Sequence, residues 1–491
     1  MPLLNQFFEG EKEQVNCLLF TFIMDHLLIS SKLSVYQRGK RFLIILSDVP
    51  YWIVVSKIGL CIISYLTSDH SIDELHLYCY NEFGLHNKVF LDDYIDKLIT
   101  KLKKDRVFDF KKELTEKASS PNTYQIYTAG INITRDCNLK CLYCYANASV
   151  DYDRHRDCLT KRDIENYLDG VKQFAAPDCP IQFTGGEPLL NRELLYYGIK
   201  YARKLGFSYI TINTNGLLLT QNDIDYFKTY NVDNVTISLD GIKENIHDEI
   251  RGKNSFKKAK QALFLLKKNL IHATASITIH KGNYSGLEDF LLFCKDNGIQ
   301  PFTSPLFPLG RCNCNNLDCV DLYDIFSSIK NLYSSGKLSD SDLDGTFLQT
   351  IILPIKDLVH RKYCGTGSST IFMDSNGDLF PCTNTLGSDY FLCGNIKRER
   401  FSDVWNNSSV LNNLRKNVNV DFFDGCEGCD IRYICSGYCR GLTYQVTGKI
   451  DSRFIWCESI KKCLIEAMWF LDEHPEIFMY YKDKFNRFDF S

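Results

Sequence analysis

The sequence predicts an α/β protein whose core is a partial (β/α)6 barrel with a smaller domain on each side. Between residues 126 and 319, short apolar runs alternate with segments of helical periodicity, an order typical of parallel strands joined by helical crossovers. Residues 1–112 have a separate pattern of strands and helices, and residues 363–470 are rich in cysteine. Because a chain of 491 residues is too long for one core, several domains are expected.

The first region, residues 1–112, is predicted to contain two strands followed by three helices. The strands are RFLIILS and YWIVVS, and the helices are KIGLCIISYL, SIDELHLYCYNEFG and VFLDDYIDKLITKLKKD. Ser71 and Glu74 have the spacing of a capping box at the start of the second helix. The polar residues 113–125 are then expected to form a linker to the barrel.

Six strands are predicted in the barrel region. They are IYTAGINIT, IQFTGG, YITINTNG, VTISLDG, ASITIH and IQPFTSPLF. Because ligands of such barrels bind at the carboxyl ends of the strands, the residues that follow these strands are candidates for the functional site. Residues 320–362 are expected to form a helical bridge to the cysteine-rich region, and residues 471–491 a C-terminal tail.

Composition narrows the possible functions. The formal net charge is −3, so the chain lacks the basic bias of a nucleic-acid-binding protein. The apolar run VNCLLFTFIMDHLLIS is broken by Asp25 and His26 and is too short to span a bilayer. The sequence has no recognisable signal peptide. We therefore expect a cytoplasmic protein without a membrane or nucleic-acid partner, in which the 21 cysteines do not form disulfides.

The segment CNLKCLYC places Cys137, Cys141 and Cys144 directly after the first predicted barrel strand. Cysteines clustered at such short spacings indicate metal ligands. A four-iron cubane on three thiolates keeps one iron open to a chelating cofactor. A structural zinc site needs a fourth ligand, for which His155 and Cys158 are the nearby candidates, so the spacing favours an iron–sulfur cluster.

This segment resembles the radical S-adenosyl-L-methionine (SAM) enzymes, whose signature is C-x3-C-x2-C with an aromatic residue, here Tyr143, before the last cysteine. The resemblance implies a [4Fe–4S] cluster that binds SAM through its open iron and, on passing it an electron, yields a 5′-deoxyadenosyl radical. Four further segments match the family in order, namely TGGEP, NTNG, SLDG and HDEIRG. The SAM contacts implied by the resemblance are Gly185, Gly186, Glu187, Asn215, Ser238, Asp240 and Arg251. No side chain is assigned a catalytic role beyond the cluster.

Seven cysteines of the C-terminal region match the SPASM extension of the same family at every short spacing. The resemblance implies two auxiliary [4Fe–4S] clusters, and therefore three clusters in all. One would be bound by Cys426, Cys429, Cys435 and Cys457, and the other by Cys364, Cys382 and Cys439. A zinc ribbon is the alternative for the paired cysteines.

Two fully ligated auxiliary clusters need eight thiolates, whereas this pattern supplies seven. The segment KDLVHRKY before Cys364 contains no cysteine. The eighth ligand could come from Cys393, or from Cys312, Cys314 or Cys319 in RCNCNNLDC, or the site stays open to a substrate thiolate. Anaerobic sulfatase maturases have an aspartate just after the equivalent of Cys382, where this chain has Thr383 and Asn384, and this difference disfavours that activity.

The first region resembles the PqqD-like winged-helix domains that bind the leader of a precursor peptide as an added strand. The whole chain is therefore similar to maturases of ribosomally synthesised peptides of the sactipeptide and ranthipeptide classes. This similarity implies thioether formation between a cysteine sulfur and a carbon of the precursor peptide, with flavodoxin or ferredoxin as the reducing partner. The alternatives are carbon–carbon or carbon–oxygen crosslinking, peptide modification in cofactor biogenesis, and, outside enzymes, an iron–sulfur redox sensor.

Overall fold

The computed structural model describes residues 26–109, 124–150, 158–312, 317–356 and 364–485. The chain divides into two compact units, Met1–Ser120 and Pro121–Ser491. None of the described helices is long and apolar enough to cross a membrane.

The first unit consists of a small antiparallel sheet followed by three helices. Its elements are β1 (His26–Leu27), β2 (Leu33–Arg38), β3 (Arg41–Leu46), β4 (Tyr51–Val55), α1 (Lys57–Tyr65), β5 (His70–Ser71), α2 (Ile72–Phe83) and α3 (Lys88–Lys104). Strands β2, β3 and β4 pair in that order, and β1 pairs with β5. The sequence did not predict β2 because its mostly half-exposed residues, LSVYQR, contain no continuous apolar run.

The predicted capping box is present at the start of α2. The Ser71 hydroxyl accepts a hydrogen bond from the backbone N–H of Glu74 at 3.2 Å, and the Glu74 carboxylate accepts one from the Ser71 N–H at 2.8 Å. These two bonds satisfy backbone donors that a helix otherwise leaves unpaired in its first turn. The order of a small sheet followed by three helices agrees with the predicted winged-helix domain.

The second unit confirms the predicted barrel strands. They are β6 (Thr128–Asn132), β7 (Ile181–Thr184), β8 (Ile210–Thr214), β9 (Asn234–Ser238), β10 (Ala273–Ile279) and β11 (Gln300–Pro305). All pair in parallel with their neighbours in chain order. The intervening helices are α4 (Lys161–Phe174), α5 (Arg192–Lys204), α6 (Gln221–Thr229), α7 (Glu244–Arg251), α8 (Ser255–Lys268), α9 (Lys281–Tyr284) and α10 (Leu287–Asp296). Apolar residues such as Ile131, Phe183 and Ile237 are fully buried in this sheet.

The cysteine-rich region extends the same sheet. Strand β12 (Thr370–Met373) pairs in parallel with β6, and β13 (Asp378–Phe380) and β14 (Gly394–Asn395) continue the sheet in antiparallel order. Phe372 lies opposite Gly130, and a Cβ at Gly130 would overlap the Phe372 ring. The sequence did not predict this connection, since it depends on two segments that lie far apart in the chain.

The remaining helices surround the barrel edge and the cysteine-rich region. They are α11 (Leu322–Ser334), α12 (Phe347–Lys356), α13 (Phe401–Asn407), α14 (Ser409–Asn417), α15 (Arg432–Cys435), α16 (Arg440–Thr447), α17 (Cys457–Glu473) and α18 (Pro475–Phe485). Helix α17 packs against α11 and α12, and α18 packs against α12. Ile477 and Tyr481 of α18 are fully buried, so much of the segment expected as a tail is a packed helix.

Candidate functional site

The parallel sheet brings the predicted SAM contacts to the carboxyl ends of four neighbouring strands. The cysteine loop follows β6, the TGGEP segment follows β7, and Asn215 follows β8. Ser238 is the last residue of β9, Asp240 follows it, and Arg251 is the last residue of α7. Because neighbouring parallel strands end at one edge of the sheet, residues distant in sequence become neighbours there.

The cysteine loop provides one buried cysteine, Cys137, and two partly exposed ones, Cys141 and Cys144. Burial raises the pKa of the Cys137 thiol to about 12, with smaller contributions from Cys141 and Cys144 and an opposing one from the backbone N–H of Leu139, 3.4 Å from Cys137 Sγ. Burial also raises the pKa of Cys141, against the effect of the Arg251 charge. Buried thiols of this kind lose their protons on binding a metal, so the donor set fits a cluster bound through thiolates.

Two glycines let the TGGEP segment cross the cysteine loop in backbone contact. A Cβ on Gly185 would overlap the carbonyl oxygen of Thr134, and one on Gly186 would overlap that of Asp136. The Gly186 N–H donates to the Thr134 carbonyl at 2.6 Å, and the Glu187 N–H donates to the Asp136 carbonyl at 2.8 Å. The crossing therefore requires glycine at both positions.

The Glu187 carboxylate is fully buried below this crossing. It accepts hydrogen bonds from the Thr214 hydroxyl at 2.6 Å and from the backbone N–H groups of Asn215 at 2.8 Å and Leu189 at 3.1 Å. Burial raises the pKa of Glu187, and these three bonds oppose that rise. Since an ionised carboxylate can accept about four hydrogen bonds, Glu187 retains acceptor capacity for a further donor, as its predicted role as a SAM contact requires.

Asn215 connects the end of β8 to the cysteine loop. Its amide Nδ2 donates to the Asn138 side-chain oxygen at 2.8 Å and lies 3.9 Å from Cys137 Sγ. The cysteine loop is therefore in contact with the segments that follow both β7 and β8.

Tyr143, Asp240 and Arg251 form a buried group beside the cysteines. The Asp240 carboxylate accepts hydrogen bonds from the Tyr143 hydroxyl at 2.6 Å, from Arg251 Nε at 2.7 Å and from the Thr278 N–H at 3.0 Å. Burial would raise the pKa of Asp240, but the Arg251 charge and these bonds lower it below its usual value. Arg251 also contacts the Tyr143 hydroxyl and lies 3.9 Å from Cys141 Sγ. The aromatic residue of the signature is thus bonded to two of the predicted SAM contacts.

Sequence reasoning missed Arg311 as a support of the cysteine loop, although PLGR resembles a stretch of the related maturases. Arg311 donates from Nε to the Cys141 carbonyl at 2.9 Å and from Nη1 to the Ala148 carbonyl at 2.6 Å. Its backbone N–H donates to the Cys144 carbonyl at 3.1 Å. The loop after β11, the strand at one end of the sheet, therefore contacts the cysteine loop that follows β6.

The resemblance divides the seven SPASM-like cysteines into a three-cysteine set, Cys364, Cys382 and Cys439, and a four-cysteine set, Cys426, Cys429, Cys435 and Cys457. In the three-cysteine set, burial, together with the charges of Cys439 and Cys364, raises the pKa of Cys382 to about 12. In the four-cysteine set, burial raises the pKa of Cys435 to about 12, with further contributions from Cys457, Cys426 and Cys429. Within the described residues, no three His, Cys, Asp or Glu side chains form a site for a single metal ion.

The described candidates for an eighth thiolate have neighbours other than the three-cysteine set. The Cys393 thiol points to the Phe391 carbonyl at 3.4 Å, and its charged neighbour is Arg415. Cys312 and Cys319 lie near each other, beside Asp318 and Lys281. Cys314 is outside the described residues.

Comparison with known proteins places two domains on the chain. Residues 131–294 match the radical SAM superfamily, and residues 364–430 match the SPASM iron–sulfur cluster-binding domain. The AdoMet-dependent heme synthase of Oleidesulfovibrio alaskensis is 25% identical over 336 residues, which cover 64% of this chain and 83% of that protein. The mycofactocin maturase MftC of Mycobacterium tuberculosis is 26% identical over 324 residues, which cover 64% of this chain and 78% of that protein.

Solved structures show the same fold. SuiB of Streptococcus suis bound to S-adenosylmethionine has a TM-score of 0.54 at 15% identity, covering 88% of this chain and 100% of that one. SuiB has also been solved with its precursor peptide SuiA, with a TM-score of 0.53. The protein anSMEcpe with bound AdoMet has a TM-score of 0.53 at 21% identity, covering 71% of this chain and 98% of that one.

The glycine crossing yields a test of the SAM site. We expect Gly186→Ala to lower the affinity of the reconstituted protein for SAM about tenfold or more, because relieving such an overlap costs about 1–3 kcal/mol. Gly286→Ala is the matched control, since its Cβ would meet the Asn283 carbonyl only at an ordinary 3.4 Å. SAM affinity is measured by equilibrium dialysis, and equal affinities of the two variants would contradict the role of the crossing.

His247 predicts a pH dependence of stability. Its Nδ1 accepts the Asp240 N–H at 3.1 Å, and burial lowers the pKa of His247 to about 4, with Arg251 acting in the same direction and Asp240 and Asp248 against it. Since the unfolded imidazole takes up a proton near pH 6.5, the stabilising contribution of neutral His247 is complete above that pH. It is lost progressively as the pH falls toward 4, by about 2 kcal/mol between pH 7 and pH 5.

We therefore expect His247→Asn, whose amide oxygen can still accept the Asp240 N–H, to lose less stability than the unsubstituted protein between pH 7 and pH 5. The measurement is the free energy of unfolding by denaturant, followed by circular dichroism at both pH values. An identical loss in the two proteins would show that His247 is not the titrating group.

Proposed function

Because residues 131–294 match the radical SAM superfamily and residues 364–430 match the SPASM domain, we propose that this chain is a maturase of ribosomally synthesised peptides. Its reaction would join the sulfur of a precursor cysteine to a carbon of another residue of the same peptide. The observation that carries this proposal is the set of Cys364, Cys382 and Cys439, whose thiols interact with one another, whereas the described candidates Cys393 and Cys319 have other charged neighbours. A cluster on three protein thiolates has room for a fourth sulfur from the substrate.

Ten cysteines would hold three clusters. We assign the SAM-binding [4Fe–4S] cluster to Cys137, Cys141 and Cys144, and the auxiliary clusters to the three-cysteine and four-cysteine sets. When bound, the reduced cluster and SAM supply a 5′-deoxyadenosyl radical, and the auxiliary clusters supply an acceptor for one electron. The buried group of Tyr143, Asp240 and Arg251 keeps the cysteine loop in place beside the ends of β7 to β9.

The atoms and electrons of the proposed reaction balance. The peptide carbon loses a hydrogen atom, which becomes part of 5′-deoxyadenosine, and the cysteine thiol loses its proton. The carbon–sulfur bond then forms as one electron leaves the peptide. Metal coordination deprotonates a thiol outright, so a substrate sulfur bound at the three-cysteine set would be a thiolate before the bond forms. Exclusion of water and stray thiols protects the radical, which agrees with the burial of the cysteine loop.

The first unit is the proposed recognition element for the leader of the precursor. Strand β2 lies at an edge of the β2–β3–β4 sheet, where an extended peptide can add as a further strand. Val35 of β2 is 45% exposed at this edge. The similarity to SuiB, which has been solved with a precursor peptide, supports a peptide substrate. We further propose a cytoplasmic setting and a flavodoxin or ferredoxin as the source of electrons, without a membrane or nucleic-acid partner.

A second candidate function is peptide modification in cofactor biogenesis or carbon–carbon or carbon–oxygen crosslinking. The similarity to mycofactocin maturase MftC favours it. Sulfatase maturation is disfavoured because Thr383 and Asn384 follow Cys382. Membership of an enzyme superfamily argues against the redox-sensor alternative.

The proposed reaction is tested with the precursor peptide encoded beside this gene. After anaerobic co-expression, we expect mass spectrometry to show a loss of two hydrogens per crosslink and a cysteine that no longer reacts with iodoacetamide. In the variant with Cys137, Cys141 and Cys144 replaced by alanine, we expect no 5′-deoxyadenosine and about four fewer irons than the roughly twelve of three cubanes. A crosslinked product with all cysteines still alkylatable would favour the second candidate, and SAM cleavage by the triple variant would contradict the site itself.

The recognition role of the first unit has its own test. We expect deletion of residues 1–112 to weaken binding of the full precursor about tenfold or more, the loss of an added strand and its side-chain pockets. SAM cleavage without peptide should be largely retained, because the residues of the SAM site all lie beyond residue 126. The core peptide without its leader is the control, and its affinity should not change. Equal precursor affinity with and without residues 1–112 would place recognition elsewhere.

A further inference from the structure

Arg440 is a fully buried arginine next to Cys439, at the start of helix α16. Its Nη1 donates to the carbonyl oxygens of Ile450 at 3.0 Å and Ser452 at 2.7 Å, and its Nη2 donates to that of Gly437. The guanidinium lies 4.3 Å from the centre of the Phe423 ring. These contacts hold the charge in one position and orientation.

That position is close to residues of both auxiliary cysteine sets. The Phe423 ring beside the guanidinium belongs to the residue whose carbonyl accepts the Cys426 N–H at 3.0 Å. The Gly437 carbonyl, which accepts from the guanidinium, lies in the chain between Cys435 of the four-cysteine set and Cys439 of the three-cysteine set. One buried cation therefore contacts the segments that carry cysteines of both sets.

The described residues provide no carboxylate partner for this charge. The contacts of Arg440 are three carbonyls and an aromatic ring, and its Nε has no hydrogen-bond partner. Burial lowers the pKa of Arg440, whereas Cys364, Cys426, Cys435 and Cys439 raise it. A buried charge without a counter-charge is costly, and a guanidinium does not lose its proton in proteins. Negative charge on the bound thiolates of the two sets would supply the missing counter-charge.

We propose that Arg440 is the shared counter-charge of the two auxiliary clusters and raises the reduction potential of both. The inference rests on the proposed cluster complement, but not on thioether formation. Reduction adds one negative charge to a cluster, and a fixed positive charge nearby in a poorly polarisable interior stabilises that reduced state. In this proposal, Arg440 does not contact the substrate. By stabilising the reduced state, it would make both auxiliary clusters better acceptors of an electron.

The test compares Arg440→Gln and Arg440→Lys with a matched control, Arg415→Gln. Arg415 also donates to two carbonyls, of Gly367 at 2.8 Å and Trp405 at 2.7 Å, stacks on an aromatic ring and has an unpartnered nitrogen. The thiol near Arg415 is Cys393, which belongs to neither set. The readouts are iron content and the midpoint potentials of the reconstituted enzyme, followed by electron paramagnetic resonance during redox titration. The SAM-binding cluster is identified by the response of its signal to added SAM.

We expect Arg440→Gln to lower the midpoint potentials of both auxiliary clusters. The expected change in the ratio of reduced to oxidised cluster is about tenfold or more at fixed potential, which is about 59 mV for a one-electron couple. The midpoint potential of the SAM-binding cluster should not change in Arg440→Gln. In Arg440→Lys, the midpoint potentials of the auxiliary clusters should stay close to those of the unsubstituted protein, and in Arg415→Gln they should not change. A shift of one auxiliary cluster alone, no shift, or an equal shift in Arg415→Gln would overturn the proposal.

Failure of cluster assembly is also informative. Loss of both auxiliary clusters in Arg440→Gln, with retention in Arg440→Lys, supports the counter-charge role of Arg440. Loss of both clusters in both variants would show that the packing of the guanidinium is what matters and would overturn that role. If the unsubstituted protein holds only the iron of a single cubane, the proposed cluster complement fails first, and the inference about Arg440 fails with it.

Discussion

Both cysteine regions of this protein depend on strand β6. The strand pairs with β7 on one side and with β12 on the other, so the cysteine loop at its end and the cysteine-rich region after β12 belong to one sheet. A buried ion pair of Arg135 and Asp374 joins the residues that follow β6 and β12, and Asn132 donates to the same carboxylate at 3.1 Å. Since β-sheet hydrogen bonds permit little relative movement, the distance between the two regions is set by this pairing.

The two regions manage buried charge in different ways. At the SAM site, the charges of Asp240 and Arg251 compensate each other directly, and the Tyr143 hydroxyl completes the group. In the cysteine-rich region, the buried cation Arg440 has carbonyl and aromatic contacts instead of a carboxylate. A site whose positive and negative side chains neutralise each other can keep its geometry before a cofactor binds. A site with an unpaired positive charge is stabilised by binding an anionic group. This difference agrees with the predicted SAM contacts and with predicted auxiliary sites whose charge balance would depend on bound thiolates.

The count of thiolates connects the fold to the proposed chemistry. Cys393 is buried against its own strand connection and Cys319 lies beside Cys312, so both have positions that the surrounding structure explains without a cluster. In the proposed function, the three-cysteine set is the place at which a sulfur of the substrate would complete a cluster. Cys364 precedes β12 and Cys382 follows β13, so two of its members flank strands of the sheet that also contains β6.

The sequence by itself determined the features that depend on local pattern. The barrel strands, the capping box at Ser71 and both groups of cysteines follow from spacing and periodicity, because a strand, a helix cap or a chelating loop is specified by neighbouring residues. Strand β2, the pairing of β12 with β6, the packed helix α18, the contacts of Arg311 and the position of Arg440 came only from the tertiary structure. Each of these depends on which distant segments meet. An arginine next to a cysteine has the same local sequence whether it faces solvent or lies buried, and only the packing of Phe423, Ile450 and Ser452 around it decides.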